Sequence, residues 1–239
     1  VMDSYESFQL HRVYRDIHNF CTRELSSFYL DVLKDRVYTL GKDSLPRRSA
    51  QTVLYEVATS LIKLTAPILS HTAEEAWQMM PEIEQRSIFL TNLPRVEKKY
   101  WNERLAEKWK RILLLRKSVV KALEIARKEK IIGSSLEAEV DFYTPEKELA
   151  TFLHNNESQW KEIFIVSEAK VFEELPPMST NLRKDELEVM MRSEEMPELH
   201  LRVKRAPGRK CVRCWNWSLT VGENREHPQI CARCVEVVR

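Results

Sequence analysis

Four cysteines near the end of the 239-residue chain constrain its fold more than any other feature. They form two C-x-x-C pairs separated by 16 residues, and they are Cys211, Cys214, Cys231 and Cys234. Two residues between thiols allow a tight turn to aim both sulfurs at one point, so two such turns supply the four ligands of a tetrahedral Zn²⁺ site. Four protein ligands leave no position for water or substrate, which predicts one structural Zn²⁺. Two disulfides are disfavoured, because nothing in the sequence indicates export.

Charge is distributed unevenly along the chain. The formal net charge is only +2, but residues 201–239 contain nine Lys and Arg against three Asp and Glu. The preceding 200 residues therefore carry a net charge of −4. A basic tail that also contains a predicted zinc site indicates a nucleic-acid surface.

The composition excludes several other functions. Only four glycines occur, so the glycine-rich phosphate loops of nucleotide-binding proteins are absent. No run of 18 apolar residues is present, and we expect no membrane span. The histidines are scattered, and neither G-x-S-x-G nor H-E-x-x-H occurs. We therefore predict no catalytic residue in this chain.

Apolar residues at helical spacing predict a mainly α protein. Four helices are predicted over residues 7–21, 24–40, 44–67 and 72–80. Their short links predict an antiparallel bundle, and we assign it to residues 1–98.

A long helix is predicted over residues 101–131, with a lysine stripe opposite its apolar face. The stripe consists of Lys110, Lys117, Lys121 and Lys128. We interpret it as an ordinary solvated face. The alternative is a surface that meets phosphates, which the lack of acidic partners in the local pattern supports.

Beyond Gly133 the pattern predicts a small α+β module. Period-two alternation predicts strands at 136–142 and 199–203, and short apolar runs predict strands at 163–166 and 170–172. A helix is predicted over 145–159 and a loop over 176–197. We divide the chain into three domains: the bundle at 1–98, the long basic helix with the α+β module at 99–205, and a four-cysteine zinc finger at 206–239.

Two tryptophans in the zinc finger are candidates for RNA contact. Trp215 and Trp217 share one face if their segment is extended, and we expect one to pack on the metal unit and the other to stay exposed. An exposed ring can stack on an unpaired base. Basic residues near the pair could contact RNA or could offset the charge of four thiolates, and they include Arg209, Lys210, Arg213 and Arg225.

Several stretches of the chain resemble bacterial isoleucyl-tRNA synthetases. LHRVYRDIHNFCTRELSSFYLDVLKDRVY at 10–38 and TAPILSHTAEEAWQMMP at 65–81 resemble the helical anticodon-binding domain of that family. IIGSSLEAEV at 131–140 is similar to its connecting region. KCVRCWNWS at 210–218 and ICARC at 230–234 resemble its C-terminal zinc finger. The resemblance covers nearly the whole chain.

The resemblance implies a function for the chain and its parent. The HIGH-like and KMSKS-like signatures of the catalytic domain do not occur here. The chain thus looks like the C-terminal third or quarter of an ATP-dependent isoleucine–tRNA ligase, with ATP bound only in the missing catalytic domain. It would bind the anticodon stem-loop of an isoleucine tRNA and pack against the remainder of the synthetase. We expect a cytoplasmic monomer.

The resemblance also implies roles for individual residues. The four cysteines match the zinc ligands, and Trp215 matches a tryptophan at the tip of the finger. Arg12, Arg15 and Asn19 lie in the matching helical segment and are candidate RNA contacts.

Three alternatives remain at this stage. DNA-repair glycosylases carry a similar C-terminal finger, although this chain begins VMDSYE and lacks their N-terminal proline nucleophile. The helical part alone also resembles the valyl and leucyl synthetases. The zinc finger could instead be a protein-interaction module of another class.

Overall fold

The computed structural model describes residues 1–175 and 187–238. Contacts divide the chain into two compact units, Val1–Trp101 and Asn102–Arg239. Helices dominate both units, which confirms the mainly α class. Among the described residues, no helix combines the length and the apolar character needed to cross a bilayer.

Regular structure in the first unit is entirely helical. Its main elements are α1 Met2–Glu6, α2 Leu10–Asn19, a π-helical stretch Phe20–Tyr29, α3 Leu30–Thr39, α4 Leu45–Thr65 and α5 Ser70–Gln78. Helix α4 has extended backbone at its N-cap, Ser44, and a proline in its first turn, where the missing N–H costs nothing. Helix α3 contacts α4, and α4 contacts α5, as short links between helices predict.

The predicted break between the first two helices is wrong. The chain is helical without interruption from Leu10 to Thr39. At the end of the π stretch, the backbone N–H of Leu30 donates to the carbonyl of Leu25, five residues back, which is a wider turn than that of an α-helix. The apolar pattern takes a five-residue step from Phe20 to Leu25 at this point. In a sequence, such a phase shift resembles the end of one helix and the start of another.

Few residues of the first unit are fully buried. One cluster forms around α5 and consists of Ala66, Ala73, Trp77 and Ile88. The Glu74 carboxylate holds the following segment on α5, because it accepts hydrogen bonds from the Ser87 hydroxyl at 2.8 Å and the Ile88 N–H at 3.0 Å. Large apolar side chains remain exposed over much of this unit, including Phe8, Leu45, Met79 and Val96. The first unit therefore has an extensive apolar surface.

In the second unit, a long helix lies against a four-stranded sheet. Helix α6 is Glu103–Lys128, and the Asn102 side chain caps it by accepting from the Leu105 N–H at 2.9 Å. The remaining elements are β1 Ala138–Tyr143, α7 Lys147–His154, α8 Glu157–Phe164, β2 Glu168–Phe172, β3 Glu188–Arg192, β4 His200–Arg205, β5 Arg209–Lys210, β6 Trp217–Ser218 and α9 Ala232–Val238.

The sheet order is β2-β1-β4-β3, and β5 and β6 form a separate two-stranded ribbon. Strands β1 and β2 are parallel, as a crossover through α7 and α8 requires. The β1–β4 and β3–β4 pairs are antiparallel. The predicted strands at 136–142, 170–172 and 199–203 correspond to β1, β2 and β4.

The crossover between β1 and β2 corrects two predictions. The helix predicted over 145–159 is two helices, α7 and α8, and the strand predicted at 163–166 covers the last two residues of α8 and the turn that follows. Trp160, Ile163 and Phe164 are all buried at helical spacing. Ile165 then ends the helix with a left-handed backbone, φ 58°. A short apolar run fits a buried strand and a buried helix end equally well, so its sequence does not distinguish them.

Part of the predicted loop at 176–197 is an edge strand. Strand β3 pairs along Glu188–Arg192 with β4. Met190 is exposed on the outer side of this strand but is apolar, so the sequence does not show the alternation of apolar and polar residues that is typical of a strand. Residues 176–186 of the predicted loop lie outside the described residues.

The main core of the second unit lies between its helices and one face of the sheet. Its fully buried side chains include Ile112, Leu115 and Val119 of α6, Val140 and Phe142 of β1, Leu201 and Val203 of β4, and Trp160 of α8. The Trp160 indole keeps its hydrogen bond inside the core, donating to the Leu153 carbonyl at 2.8 Å.

Strand β1 also buries two carboxylates on the opposite face of the sheet. The side chains of Glu139 and Asp141 are only 2% and 0% exposed. Lys170 Nζ lies 2.6 Å from Glu139, and Lys204 Nζ lies 3.2 Å from Glu139 and 3.5 Å from Asp141. Arg202 donates to one Asp141 oxygen at 2.6 and 2.9 Å. Each buried carboxylate therefore pairs with at least one cation, although Asp141 Oδ1 has no hydrogen-bond partner among the described residues.

Acidic side chains neutralise most of the lysine stripe on α6, which removes the support for the alternative of a phosphate-facing surface. Lys110 pairs with Glu107 at 2.5 Å and Lys121 with Glu194 at 2.5 Å, and Lys117 pairs with Glu195. Two of these partners come from the turn after β3, which the local pattern of the helix cannot reveal. Lys117 and Lys121 therefore dock that turn, and Lys110 is paired within α6, so three of the four lysines do not present free positive charge.

We predict that Glu139→Gln lowers the free energy of unfolding at neutral pH by roughly 1–2 kcal/mol. Burial alone would raise the pKa of Glu139, but the Lys170 hydrogen bond and the Lys204 charge hold that pKa below its ordinary value. A carboxyl group whose pKa is lower in the folded state stabilises the fold above its unfolded pKa of about 4.5, and this stabilisation disappears as the pH falls through the folded value. The variant should therefore lose less stability than wild type as the pH falls below about 4.5.

Urea unfolding as a function of pH measures both effects. Glu148→Gln is the matched control, because Glu148 is 79% exposed and also pairs with a cation, Arg111. A Glu139→Gln profile parallel to that of wild type would contradict the assigned role of the buried carboxylate.

Candidate metal centre and nucleic-acid interface

The four predicted cysteines converge on one point in the structure. Their sulfurs all lie within 4.8 Å of one another, and all four residues are buried. Cys214 Sγ is 3.7 Å from Cys231 Sγ. A tetrahedral Zn²⁺ with Zn–S bonds of about 2.3 Å places its sulfurs about 3.8 Å apart, so the cluster fits that ion. No ligand position remains for substrate, and the ion would act as a structural cross-link.

The first pair of thiols is presented by a tight turn. Cys211 begins the turn directly after β5, and its carbonyl accepts from the Trp215 N–H at 2.9 Å. Trp215 has a left-handed backbone, φ 64°, which reverses the chain immediately after Cys214. The Cys211 N–H then donates to the Asn216 carbonyl at 2.9 Å, which closes the turn. Backbone geometry thus aims both sulfurs inward.

The second pair is presented by the start of α9. The Cys231 carbonyl accepts from the N–H groups of Cys234 and Val235 at 2.9 and 3.0 Å. This first helical turn places the Cys234 sulfur beside that of Cys231. The two halves of the finger are also joined by the Val212 N–H, which donates to the Gln229 carbonyl at 3.1 Å.

The surroundings of the four thiols shift their pKa values in different directions. Burial raises the pKa of Cys231 and of Cys234. Burial also opposes ionisation of Cys211, but hydrogen bonds from the backbone of Cys214, Cys231 and Arg213 outweigh it and lower the pKa of Cys211 to about 6. A bound Zn²⁺ would supply the charge that stabilises all four thiolates.

Trp215 and Trp217 occupy different environments, which corrects the prediction of one shared face. The left-handed backbone at Trp215 means that the segment is not extended there. Trp215 is 59% exposed, and Lys210 Nζ lies 5.4 Å from the centroid of the Trp215 ring. Trp217 is half-buried, and the Arg205 guanidinium covers its ring at 4.9 Å. One ring therefore faces solvent, and the other packs under Arg205 rather than on the metal unit.

The basic residues of the finger also differ in their surroundings. Arg213 donates to the Cys234 sulfur at 3.7 Å, so it offsets thiolate charge. Arg209 passes over Gly222, where an added Cβ would lie 2.5 Å from its guanidinium. Arg209, Lys210 and Arg225 are exposed. These three side chains give the finger an accessible positive surface.

The candidate RNA contacts of the first unit lie on one face of α2. Arg12, Arg15 and Asn19 are spaced i, i+3 and i+7. Arg12 and Arg15 are exposed, and Asn19 is half-buried. Arg15 Nε lies 3.6 Å from the Asp16 carboxylate, an exposed pair that contributes little to stability.

Two parts of the chain match known protein families. Residues 1–142 match the family of anticodon-binding domains of tRNA ligases. The chain belongs to this anticodon-binding family. Residues 208–237 of the anticodon-binding chain match a second family, described as a zinc finger found in FPG and IleRS. Together with the four-sulfur cluster, this match confirms the prediction of a finger that holds one Zn²⁺.

Relatives of this anticodon-binding chain are similar over its whole length. The isoleucine–tRNA ligase of Syntrophotalea carbinolica is 40% identical over 238 residues, covering 100% of this chain and 24% of the relative. The isoleucine–tRNA ligase of Bacillus mycoides is 42% identical over 239 residues, and that of Moorella thermoacetica is 42% identical over 241. The chain spans about a quarter of the length of these relatives. The resemblance found in the sequence is therefore confirmed, and the glycosylase and valyl or leucyl alternatives are not favoured.

We predict that Cys211→Ser abolishes stoichiometric zinc binding and unfolds residues 209–239 only. Metal binding supplies most of the folding free energy of a small finger, because such a unit buries few apolar side chains. Zinc content by mass spectrometry under native conditions measures the first effect. Hydrogen exchange measures the second, with faster exchange in the finger and unchanged exchange in α4 and α6.

Cys21→Ser is the matched control, since Cys21 is a half-buried cysteine outside the cluster. Retention of one zinc ion per chain by Cys211→Ser, or loss of protection throughout α4 and α6, would contradict the prediction.

Proposed function

We propose that this chain is the anticodon-binding part of an isoleucine–tRNA ligase. In this proposal, the parent enzyme attaches isoleucine to tRNA with ATP, and the catalytic domain that binds ATP lies in the remaining three quarters of the protein. The chain itself contributes no catalytic residue. Its task is to bind the anticodon stem-loop of an isoleucine tRNA and hold the tRNA in register.

The observation that carries this proposal is the exposed Trp215 ring beside a four-thiol centre. A tight turn fixes the backbone of Trp215, so little backbone freedom is lost when a base stacks on its ring. The neighbouring Lys210 adds positive charge where a phosphate would lie. An exposed aromatic ring on an ordered turn beside a cation suits the unstacked bases of an RNA loop.

Other residues have more specific roles in this proposal. Lys210, Arg209 and Arg225 contact phosphates near the anticodon loop, since their side chains are accessible. Arg213 supports the metal centre through Cys234 and reaches RNA only at its outer edge. Arg12, Arg15 and Asn19 contact the backbone of the stem from one face of α2.

We also propose that the remainder of the synthetase covers part of the first unit. An open groove of about 1130 Å³ lies within that unit, and its lining includes Phe20, Val53, Trp77, Leu90 and Tyr100. Acidic groups outnumber basic ones along the groove, with five carboxylates and two cations among its lining residues. The groove would repel RNA phosphates and suits a protein partner.

The domain boundaries and cellular context follow from the same proposal. The bundle at 1–98 and the finger at 206–239 contact tRNA, and the helix and module at 99–205 connect them. The parent enzyme acts as a monomer in the cytoplasm.

We predict that Trp215→Ala weakens binding of an isoleucine-tRNA anticodon stem-loop by roughly 1–3 kcal/mol, the usual value of one base–aromatic stack. The fold should be little affected, because the ring is largely in solvent. Filter binding at fixed salt, with matched stem-loops and stem-loops altered at one anticodon base, measures the effect. Most of the loss should fall on the matched RNA.

Trp101→Ala serves as the control, because Trp101 is an exposed tryptophan, at 74%, outside the finger. The proposal fails if wild-type protein does not distinguish the two RNAs, or if the two tryptophan variants bind them alike.

A further inference from the structure

A single buried serine connects the sheet to the zinc finger. Ser167 lies immediately before β2 and is only 6% exposed. Its hydroxyl donates to the Leu136 carbonyl at 2.5 Å and accepts from the Trp217 N–H at 2.6 Å. Its own N–H donates to the Ala138 carbonyl at 3.0 Å. One oxygen atom thus joins the turn before β1 to strand β6 of the finger.

The other strand of the finger ribbon is fixed to the same turn. The Ala206 N–H donates to the Glu137 carbonyl at 2.7 Å, just before the chain enters β5. Arg205 lies 3.5 Å from the Glu137 carboxylate while its guanidinium covers the Trp217 ring. Three consecutive carbonyls, those of residues 136–138, therefore accept hydrogen bonds from groups that hold the finger.

These contacts leave little freedom between the anchor and the tip. Strands β5 and β6 approach so closely that a Cβ on Gly208 would lie 2.3 Å from the Ser218 carbonyl. Trp217 is separated from Trp215 only by Asn216, whose carbonyl accepts from the Cys211 N–H at 2.9 Å. A shift of the Trp217 backbone must therefore move the turn that carries Trp215.

We propose that Ser167 is a positioning residue for the anticodon-reading tip. It sets the orientation of Trp215 by fixing the backbone of Trp217, and Trp217 is an anchor rather than a surface for base stacking. This inference rests on the proposed function. The sequence gives no sign of it, because a lone serine between a helix and a strand has no distinctive pattern.

The test compares Ser167→Ala with Ser118→Ala in the whole chain. Both remove a buried serine hydroxyl from the second unit, but Ser118 bonds to Ser193 at 2.7 Å between α6 and the turn after β3. In Ser167→Ala, we expect faster hydrogen exchange of the Trp217 amide and an unchanged content of one zinc per chain. Binding of the matched stem-loop should weaken by up to about tenfold, which corresponds to the free energy of the one hydrogen bond to Trp217, while binding of the mismatched stem-loop changes less.

The decisive measurement is the ratio of the affinity for the matched stem-loop to that for the mismatched stem-loop. A general loss of protein stability would weaken binding of both RNAs alike and leave this ratio unchanged. A Ser167→Ala ratio equal to those of Ser118→Ala and wild type overturns the positioning role. If Ser167→Ala does not fold, Arg205→Gln tests the second contact to Trp217 at a residue whose side chain is 58% exposed. A smaller ratio of matched to mismatched affinity in Arg205→Gln than in wild type then supports the proposal, and an equal ratio overturns it.

This outcome is distinguishable from failure of the proposed function. If wild-type protein binds matched and mismatched stem-loops equally, the anticodon function fails and the positioning role fails with it. If wild type discriminates and both variants discriminate equally well, only the positioning role is lost.

Discussion

Convergence of four sulfurs on one point is the constraint on which the rest of the finger depends. The segment between Cys211 and Cys234 buries few apolar side chains, mainly those of the cysteines and Val221. Such a unit cannot offset the conformational entropy of its own ordering through burial. A metal ion that binds all four thiolates supplies the missing free energy, and it also fixes the turn from which Trp215 extends. Structure and proposed function of the finger therefore share one cause.

The distribution of paired charge explains why recognition is assigned to the finger. Basic side chains elsewhere in the second unit are largely engaged: Lys170, Arg202 and Lys204 neutralise buried carboxylates, and three α6 lysines pair with nearby acids. In the finger, Arg209, Lys210 and Arg225 are exposed, and Lys210 lies beside the Trp215 ring. Net charge alone, at +2, would not reveal this separation.

Some of this architecture follows from sequence because its cause is local. Ligand spacing fixes the zinc site, and helical and strand periodicities identify α4, α6, β1, β2 and β4. The missed features have causes that are distant in sequence or confined to the backbone. The partners of Lys117 and Lys121 come from the turn after β3, more than 70 residues away. The left-handed conformations of Ile165 and Trp215 leave no distinct residue pattern, and the phase shift after Phe20 is the same as that of a helix break.

The two carboxylates buried on β1 have a consequence for how the sheet assembles. Apolar and acidic side chains alternate along this central strand, so a slip of one residue against β4 would turn Glu139 and Asp141 into the hydrocarbon core and Phe142 out of it. Unpaired carboxylates in that environment would cost several kcal/mol each. The buried carboxylates thus specify the register of β1 against β4, because a shifted pairing would bury them without partners. The ion pairs formed in the correct register add little net stability themselves.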